Sequence, residues 1–301
     1  MSIETDTTVR TAAKRGNIRE TLIEKLIIGG GGLTVVIVLL IFVFLLKEAL
    51  PVLRTESPGE LLLGREWYPL SGVFGMLPLI AGSLLVTLGA IVIGVPIGLA
   101  AAVYIGEIAG PGIREVLKPT VEALAAIPSI VIGFLGYILL APWLKHIFDL
   151  PTGLTALAGS IMLAFMAMPT IISISEDALT AVPKEYRAGS LAMGATHWQT
   201  ITRVIVPAAK SGIIASVMLG IGRTIGETMT VLMVTGNAAL IPHSLLQPVR
   251  TMTATIGLEM GETVRFSPHY HALFAVGAVL FLMTFVINLV ADLALQRSRR
   301  R

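Results

Sequence analysis

Two oppositely charged residues interrupt a long apolar stretch in the second half of the chain. Arg223 and Glu227 stand four residues apart within residues 211–235, which hold no other charged residue. On a continuous helix this spacing places both side chains on one face, so the carboxylate can offset the charge of the guanidinium. Arg223 falls about 18 Å into such a helix at 1.5 Å per residue. A charge at that depth requires protein or water around it rather than lipid.

Small and hydroxyl-bearing residues surround this pair. Gly222 and Gly226 form a G-x-x-x-G pattern, which lets a second helix approach closely, and Thr224 and Thr228 add hydroxyl groups. Two interpretations follow. The charges either form an internal ion pair that holds two helices together, or the planar guanidinium binds an oxyanion bidentately. In the second case the carboxylate can accept a hydrogen bond from a protonated oxyanion such as phosphate, whereas fully ionised sulfate has no such proton.

Other motifs that could carry chemistry are incomplete. Gly189 and Gly194 have the spacing of a phosphate-binding loop, but Ala195 follows where that loop needs a lysine. His269 and His271 would point apart on a helix, so no metal site is predicted. The chain has no cysteine, which excludes a thiol nucleophile and a cysteine-based zinc site. We therefore predict no catalytic residue, no metal and no cofactor bound by this chain.

The composition excludes a soluble globular protein. Hydrophobic residues make up 54% of the 301 residues and charged residues 14%, with a mean hydropathy of +0.84, whereas soluble domains hold about 25% charged residues. Six apolar segments are long enough to cross about 30 Å of hydrocarbon as helices. They cover residues 26–46, 77–103, 121–141, 154–175, 211–235 and 269–293. We predict an all-α, polytopic membrane protein of about six transmembrane helices.

Basic residues set the predicted orientation in the cell membrane. With the N-terminus inside, the inner segments hold 15 Lys and Arg residues and the outer segments hold 6. Cytoplasmic flanks are the basic ones in membrane proteins, so both termini are expected in the cytoplasm. The same rule accounts for the net charge of +3 without nucleic acid as a partner. The first apolar segment is too long for a signal peptide and is interpreted as a retained anchor.

One long inner loop, residues 176–210, is amphipathic and helix-forming rather than Gly/Ser-rich as a flexible linker would be. Pro183 suits the start of a helix, and Gly194 suits a helix end that is followed by a turn. Pro207 then leads into the next span. We predict a helix, a glycine turn and a second helix.

This loop resembles the cytoplasmic coupling loop of type I ABC importer permeases, whose pattern is Glu-Ala-Ala, three residues, Gly, nine residues and Ile-x-Leu-Pro. Gly194 and Pro207 match the pattern, and Val204 and Val206 replace the Ile and Leu. Ala188-Gly189-Ser190 stands at the Glu-Ala-Ala position. The acidic residue is therefore missing there, although Glu185 lies three residues earlier.

The resemblance implies that the loop inserts a short helix into a groove of an ATPase subunit. The residues implied for this contact are Glu185, Tyr186, Arg187, Ala188, Gly189, Gly194 and Pro207. The alternative is a cytoplasmic helical hairpin without a partner.

A closer resemblance lies in the fifth apolar segment. Residues 220–229 are similar to the Gly-Arg-x-x-Gly-Glu-Thr-Met segment of phosphate-importer permeases. The Phe-Gly-Met-Leu-Pro at residues 74–78 and the Ala-Ile-Pro-Ser at residues 126–129 resemble the PstC-type subunits of that transporter. Together these motifs extend over residues 74–236, a little over half of the chain.

The PstC-type resemblance implies a transmembrane permease subunit of an ATP-driven phosphate importer, with the type I ABC importer permease fold. A homologous PstA-type permease would supply the other half of the path. Two ATPase subunits would use ATP, and an extracytoplasmic phosphate-binding protein would deliver the substrate. The implied path residues are Arg223, Glu227, Thr224 and Thr228, with Gly222 and Gly226 packing helices. This implication favours the oxyanion interpretation of Arg223 and Glu227.

The predicted parts of the chain are a cytoplasmic tail (1–25), a first transmembrane helix with its outer loop (26–76), a permease core (77–293) that contains coupling loop 176–210, and a basic cytoplasmic tail (294–301). Two alternatives to a phosphate importer remain open. One is a permease for another oxyanion, such as sulfate or molybdate. The other is a partner-free membrane channel or sensor.

Overall fold

Helices form almost all of the structure, a computed structural model that describes residues 4–54 and 56–299. The α-helices are α1 (Glu4–Ala49), α2 (Pro58–Leu63), α3 (Leu77–Val103), α4 (Pro111–Ala125), α5 (Ser129–Leu135), α6 (Ala141–Ile147), α7 (Ala156–Thr180), α8 (Lys184–Ala192), α9 (His197–Thr200), α10 (Val206–Ala208), α11 (Lys210–Ile225), α12 (Met229–Val234), α13 (Met252–Glu259) and α14 (Pro268–Arg299). Residues 1–3 and 300–301, which belong to the two predicted cytoplasmic tails, lie outside the described residues.

Short elements of other kinds join these helices. Turns of 3₁₀ helix cover Leu50–Arg54 and Pro69–Ser71, and π-helical segments cover Tyr104–Ile108, Gly136–Leu140 and Ile201–Ile205. Strands β1 (Trp67–Tyr68) and β2 (Val73–Phe74) pair antiparallel, with Trp67 opposite Phe74. This hairpin lies beside the first turn of α14, because the rings of Trp67 and Phe74 contact the ring of His269. We call this region the hairpin end.

The chain divides into two compact units, Met1–Glu48 and Ala49–Arg301. The first unit is almost entirely helix α1, whose 46 residues would extend about 69 Å at 1.5 Å per residue. The helix begins within the predicted cytoplasmic tail rather than near residue 26. It is therefore longer than the hydrocarbon layer requires.

Helices α3 and α7 form the centre of the second unit. Gly94 and Gly98 of α3 let the two helices approach closely, since a Cβ atom at Gly94 would lie 3.4 Å from Ala164 and one at Gly98 would lie 3.0 Å from Ile171. Leu163 and Ala164 of α7 are buried in the same core. The loop that precedes α13 packs on this centre, because Ala156 donates its backbone N–H to the carbonyl of Gln247 at 2.9 Å.

Five helices among the described residues are long and apolar enough to cross a membrane, and a sixth span results if a pair bent by 69° is counted as one. The five are Glu20–Arg54, Leu77–Ile108, Ser129–Ile147, Ala156–Thr180 and Pro268–Val290, and the bent pair is His197–Ala208 with Lys210–Ile225. The prediction of an all-α protein with about six spans is thus confirmed.

The third predicted span, residues 121–141, is placed wrongly by the hydropathy pattern. Helix α4 ends at Ala125, and the span begins at Ser129 and continues to Ile147. Pro128 causes the shift, because proline lacks a backbone N–H and disfavours the helical conformation of the residue before it. Residues 121–125 therefore belong to a separate amphipathic helix.

The fifth predicted span, residues 211–235, is not one helix. Helix α11 ends at Ile225 and α12 begins at Met229, so residues 226–228 form a break. The segment between α12 and α14 contains helix α13.

Candidate functional site

Arg223 lies in the last turn of α11, half-buried, immediately before the break. Its Nη1 donates a hydrogen bond to Oγ1 of Thr170 on α7 at 3.4 Å. Among the ion pairs that the described residues form within 4.0 Å, none joins Arg223 to Glu227. The predicted pairing on one helical face is therefore wrong, because the helix that would place the two side chains together stops at Ile225.

Glu227 caps the helix that follows it. Its Oε1 accepts the backbone N–H groups of Met229 at 3.1 Å and Thr230 at 3.2 Å. These are among the first amides of α12, which lack a partner within their own helix. The carboxylate thus satisfies them, and its negative charge faces the positive end of the helix dipole.

The two predicted path threonines differ in how their hydroxyl groups are used. Thr224 is 3% exposed and donates to the carbonyl of Ile221 in its own helix at 2.9 Å. Thr228 is half-buried and lies 3.5 Å from the carbonyl of Gly226 within the break. The structure therefore places Thr228 closer to an open surface than Thr224.

The two glycines of the G-x-x-x-G pattern have different surroundings. A Cβ atom at Gly222 would lie 3.7 Å from the side chain of Asn288 on α14, whereas one at Gly226 would meet the carbonyl of Gly222 and no other helix. Gly226 is exposed and follows the last residue of α11. The predicted close approach of a second helix is therefore found at Gly222, and at Gly226 it stays a prediction.

The predicted coupling loop has the expected helix-turn-helix shape. Helix α8 begins directly after Pro183, and Gly194 adopts a left-handed conformation with φ of +85° after the helix ends. The second helix starts at a capping box formed by Thr196 and Gln199. Pro207 lies in α10, at the bend that precedes α11.

The coupling loop exposes several large apolar side chains. Tyr186 is 54% exposed, Trp198 63% and Met193 85%. Glu185, Ala188 and Gly189 are exposed as well. Exposed apolar groups concentrated on one short hairpin are typical of a protein-binding surface. Trp198 and Met193 were not predicted as contact residues. Large apolar residues beside a glycine turn could have indicated that they are exposed for contact with another protein.

Arg187, by contrast, is turned inward. Its guanidinium forms a bidentate ion pair with Glu107, which follows α3, through Nη2 with Oε1 and through Nε with Oε2, the latter at 3.1 Å. It also donates to the carbonyls of Val182 at 2.8 Å and Leu179 at 3.0 Å. The hydrogen bond with Glu107 raises the pKa of Arg187. Arg187 thus connects the coupling loop to the ends of α3 and α7.

A second charged cluster joins α4 to α7. Glu176 is 1% exposed and forms ion pairs with Arg114 and with Lys118, the latter at 2.6 Å. Lys118 also reaches Asp177 at 2.8 Å. Hydrogen bonds with Asp177 and Glu176 raise the pKa of Lys118. No sequence pattern predicted this cluster, since its partners are about 60 residues apart along the chain.

A third polar network lies at the hairpin end, around Glu259. Its carboxylate accepts hydrogen bonds from Trp67 Nε1 at 3.0 Å and from Arg250 Nη1 at 2.6 Å, and His269 Nε2 lies 2.8 Å away. His269 therefore contacts a carboxylate. Among the described residues, no group of three or more His, Asp or Glu side chains could hold a metal ion.

Comparisons with known proteins identify the family to which the chain belongs. Residues 94–301 match the model of the family described as binding-protein-dependent transport system inner membrane component. The probable ABC transporter permease protein YqgH of Bacillus subtilis is 42% identical over 236 residues, with 78% of this chain and 76% of that protein covered. The phosphate transport system permease protein PstC of Mesorhizobium japonicum is 35% identical over 259 residues, with 80% and 79% covered.

Solved structures share the fold at lower identity. A bacterial alginate ABC transporter, solved with its alginate-bound periplasmic protein, contains a chain with a TM-score of 0.63 and 14% identity, covering 92% of this chain and 96% of that one. A chain of the MetNI methionine ABC transporter in an inward-facing conformation gives a TM-score of 0.54 at 21% identity, covering 77% and 99%.

Proposed function

The chain belongs to the family of binding-protein-dependent transport system inner membrane components, and on that basis we propose that it is a permease subunit of an ATP-driven phosphate importer. The observation that carries the proposal is a half-buried arginine at a helix break, in a chain that aligns over about four fifths of its length with phosphate permeases. The permease lies in the cell membrane with both termini in the cytoplasm.

Arg223 is the anion-binding group of the proposed path. Within the described residues its guanidinium makes one hydrogen bond, to Thr170, whereas arginine has five N–H donors in a planar fork. The remaining donors can bind two phosphate oxygens at once. A site beside protein and water avoids the cost of placing this charge in lipid.

Glu227 gives the path its selectivity among oxyanions. One carboxylate oxygen is held by the amides of α12, and the carboxylate keeps further acceptor capacity. It accepts a hydrogen bond from the proton that phosphate retains near neutral pH. Thr228 lies within the break and contributes a hydroxyl group, and Thr224 supports the end of α11.

Transport in this proposal follows alternating access. A homologous PstA-type permease supplies the other half of the path, two ATPase subunits bind the exposed coupling loops, and an extracytoplasmic phosphate-binding protein delivers the substrate. ATP binding and hydrolysis by the ATPase subunits displace α8 and its glycine turn. Arg187 passes this displacement to the end of α3 through Glu107 and to the end of α7 through the carbonyl of Leu179, and the path beside Arg223 opens and closes. This chain binds no cofactor.

Uptake of radiolabelled phosphate by the reconstituted complex tests the proposal. Liposomes would contain the two permeases and the ATPase subunits, with ATP inside and the loaded phosphate-binding protein outside. We expect uptake that requires ATP and that an excess of sulfate or molybdate does not reduce. Equal uptake without ATP would instead indicate a channel. Equal competition by sulfate or molybdate would indicate a permease for a wider range of oxyanions.

A further inference from the structure

Helix α13 is a short, deeply buried helix that reaches from the hairpin end to the helix break. Met252, Ala254 and Thr255 are 0% exposed, and the helix packs against α3, α12 and α14. Its start is fixed to α3, because the backbone N–H of Met252 donates to Oγ of Ser83 at 2.9 Å. Such burial is not expected of an ordinary loop segment.

One face of α13 contacts the break directly. Oγ1 of Thr253 donates to the backbone carbonyl of Glu227 at 2.8 Å. Gly257 lies beside Thr228, since a Cβ atom there would come within 3.0 Å of the Thr228 methyl group. The main chain of Glu227 is therefore held by α13, while its carboxylate is held by α12.

The last residue of α13 is held at the hairpin end. Glu259 accepts hydrogen bonds from Trp67 of β1 and from Arg250, and it contacts His269 at the start of α14. Trp67 is 2% exposed, and its ring packs edge-to-face against Phe74 of β2. A displacement of the hairpin therefore moves Glu259 with it.

We propose that α13 is a strut that sets the conformation of the helix break from the hairpin end, with Thr253 as a positioning residue for Glu227 and Glu259 as the anchor. A helix of eight residues fixed at both ends transmits displacement because its backbone hydrogen bonds keep its length constant. The inference rests on the proposed function, which places the hairpin end outside the membrane, where the phosphate-binding protein docks.

Hydrogen exchange in the assembled complex tests the strut without reference to transport. Thr253→Val removes, at nearly constant volume, the hydrogen bond to Glu227 and the contact between the hydroxyl groups of Thr253 and Thr251 at 3.1 Å. We expect amide exchange in α12 to become about five- to tenfold faster, the effect of losing the one hydrogen bond to Glu227. Thr253→Ser keeps the hydroxyl and should resemble wild type. Thr284→Val is the matched control, since among the described residues that hydroxyl donates only to the carbonyl of Leu280 in its own helix.

ATP hydrolysis by the reconstituted complex tests whether the strut carries a signal. We expect Thr253→Val and Glu259→Gln to lower stimulation by the loaded phosphate-binding protein about five- to tenfold, again the scale of one hydrogen bond, with basal hydrolysis unchanged. Thr284→Val should be stimulated like wild type. If the complex with Thr253→Val does not assemble, the stimulation measured for Glu259→Gln alone tests the proposal.

Wild-type stimulation in Glu259→Gln would overturn the proposal, as would wild-type exchange of α12 in an assembled Thr253→Val complex. Failure of the proposed function has a different signature. In that case the wild-type complex itself does not import phosphate, while the exchange of α12 still depends on Thr253.

Discussion

Arg223 and Thr170 meet between α11 and α7, where Nη1 of the arginine donates to Oγ1 of the threonine at 3.4 Å. A neutral hydroxyl orients the guanidinium without neutralising its charge. A carboxylate in the same place would compete with an arriving anion. The pairing of Arg223 with a hydroxyl therefore suits a group that must bind and release an oxyanion.

Replacement of Arg223 should abolish uptake while the complex still assembles. We expect Arg223→Ala to lower phosphate uptake at least about tenfold, because hydrogen bonds to charged groups contribute about 1.5–3 kcal/mol. Arg223→Lys keeps the charge but loses the planar fork and should be intermediate. Uptake assays and co-purification of the subunits check this, with the exposed Arg265 replaced by alanine as the control. Wild-type uptake in Arg223→Ala would remove Arg223 from the path.

Replacement of Glu227 separates charge from helix capping. Glu227→Gln retains a carbonyl oxygen that can accept the amides of Met229 and Thr230, so assembly and thermal stability should change little. The negative charge is lost, and we expect discrimination between phosphate and sulfate to fall. Competition between the two anions in uptake assays measures this. Unchanged discrimination would show that the carboxylate serves only as the cap of α12.

The ion pair between Arg187 and Glu107 should couple the loop to the spans. Removing one partner of a buried ion pair costs about 3–5 kcal/mol, and we expect the low end of this range because the Arg187 side chain is 26% exposed. Arg187→Ala and Glu107→Ala should each lower uptake and thermal stability. The loss of stability in the double variant should be far smaller than the sum of the losses in the two single variants. Additive losses would mean that the two residues act independently.

Two glycines of the coupling loop should respond oppositely to the same substitution. Gly194 has a φ of +85°, a conformation that costs an alanine about 1–2 kcal/mol, so Gly194→Ala should lower thermal stability. Gly189 is helical with nothing within 4 Å of a Cβ atom, so Gly189→Ala should raise stability by roughly 0.5–1 kcal/mol. Thermal unfolding in detergent measures both. Equal effects would contradict the glycine turn.

Lys118 predicts a dependence of stability on alkaline pH. Hydrogen bonds with Asp177 and Glu176 raise its pKa above the ordinary value of 10.5. The stabilisation is therefore fully present below that value and is lost as the pH rises through the higher pKa of the folded state. We expect the melting temperature of wild type to exceed that of Lys118→Met at pH 8 to 10, and the difference to narrow above pH 10.5. A constant difference would exclude this contribution.

Local patterns predicted the elements that local forces determine. The bounds of α3 match the predicted segment 77–103. A segment that crosses lipid must be apolar and helical whichever helices pack beside it. Pro183 and Gly194 predicted the shape of the coupling loop for a similar reason, since their backbone preferences act within one or two residues.

The periodicity of the sequence did not predict the break in the fifth span. Gly226 weakens the helix and Glu227 caps the next one, so the residue types did indicate a possible helix end. The continuous apolar character of residues 211–235 favoured a single helix instead. The charged cluster of Lys118 and Glu176 had no local signal, because tertiary packing alone brings residues from α4 and α7 together. The site was therefore predicted by residue type, and its pairings required the structure.

The 69° bend between His197–Ala208 and Lys210–Ile225 has a mechanical consequence. An angle nearer to perpendicular than to straight converts motion along the first arm chiefly into motion across the second. A push along the first arm would therefore move α11 sideways rather than slide it along its own axis. Arg223, in the last turn of α11, would then move sideways with it.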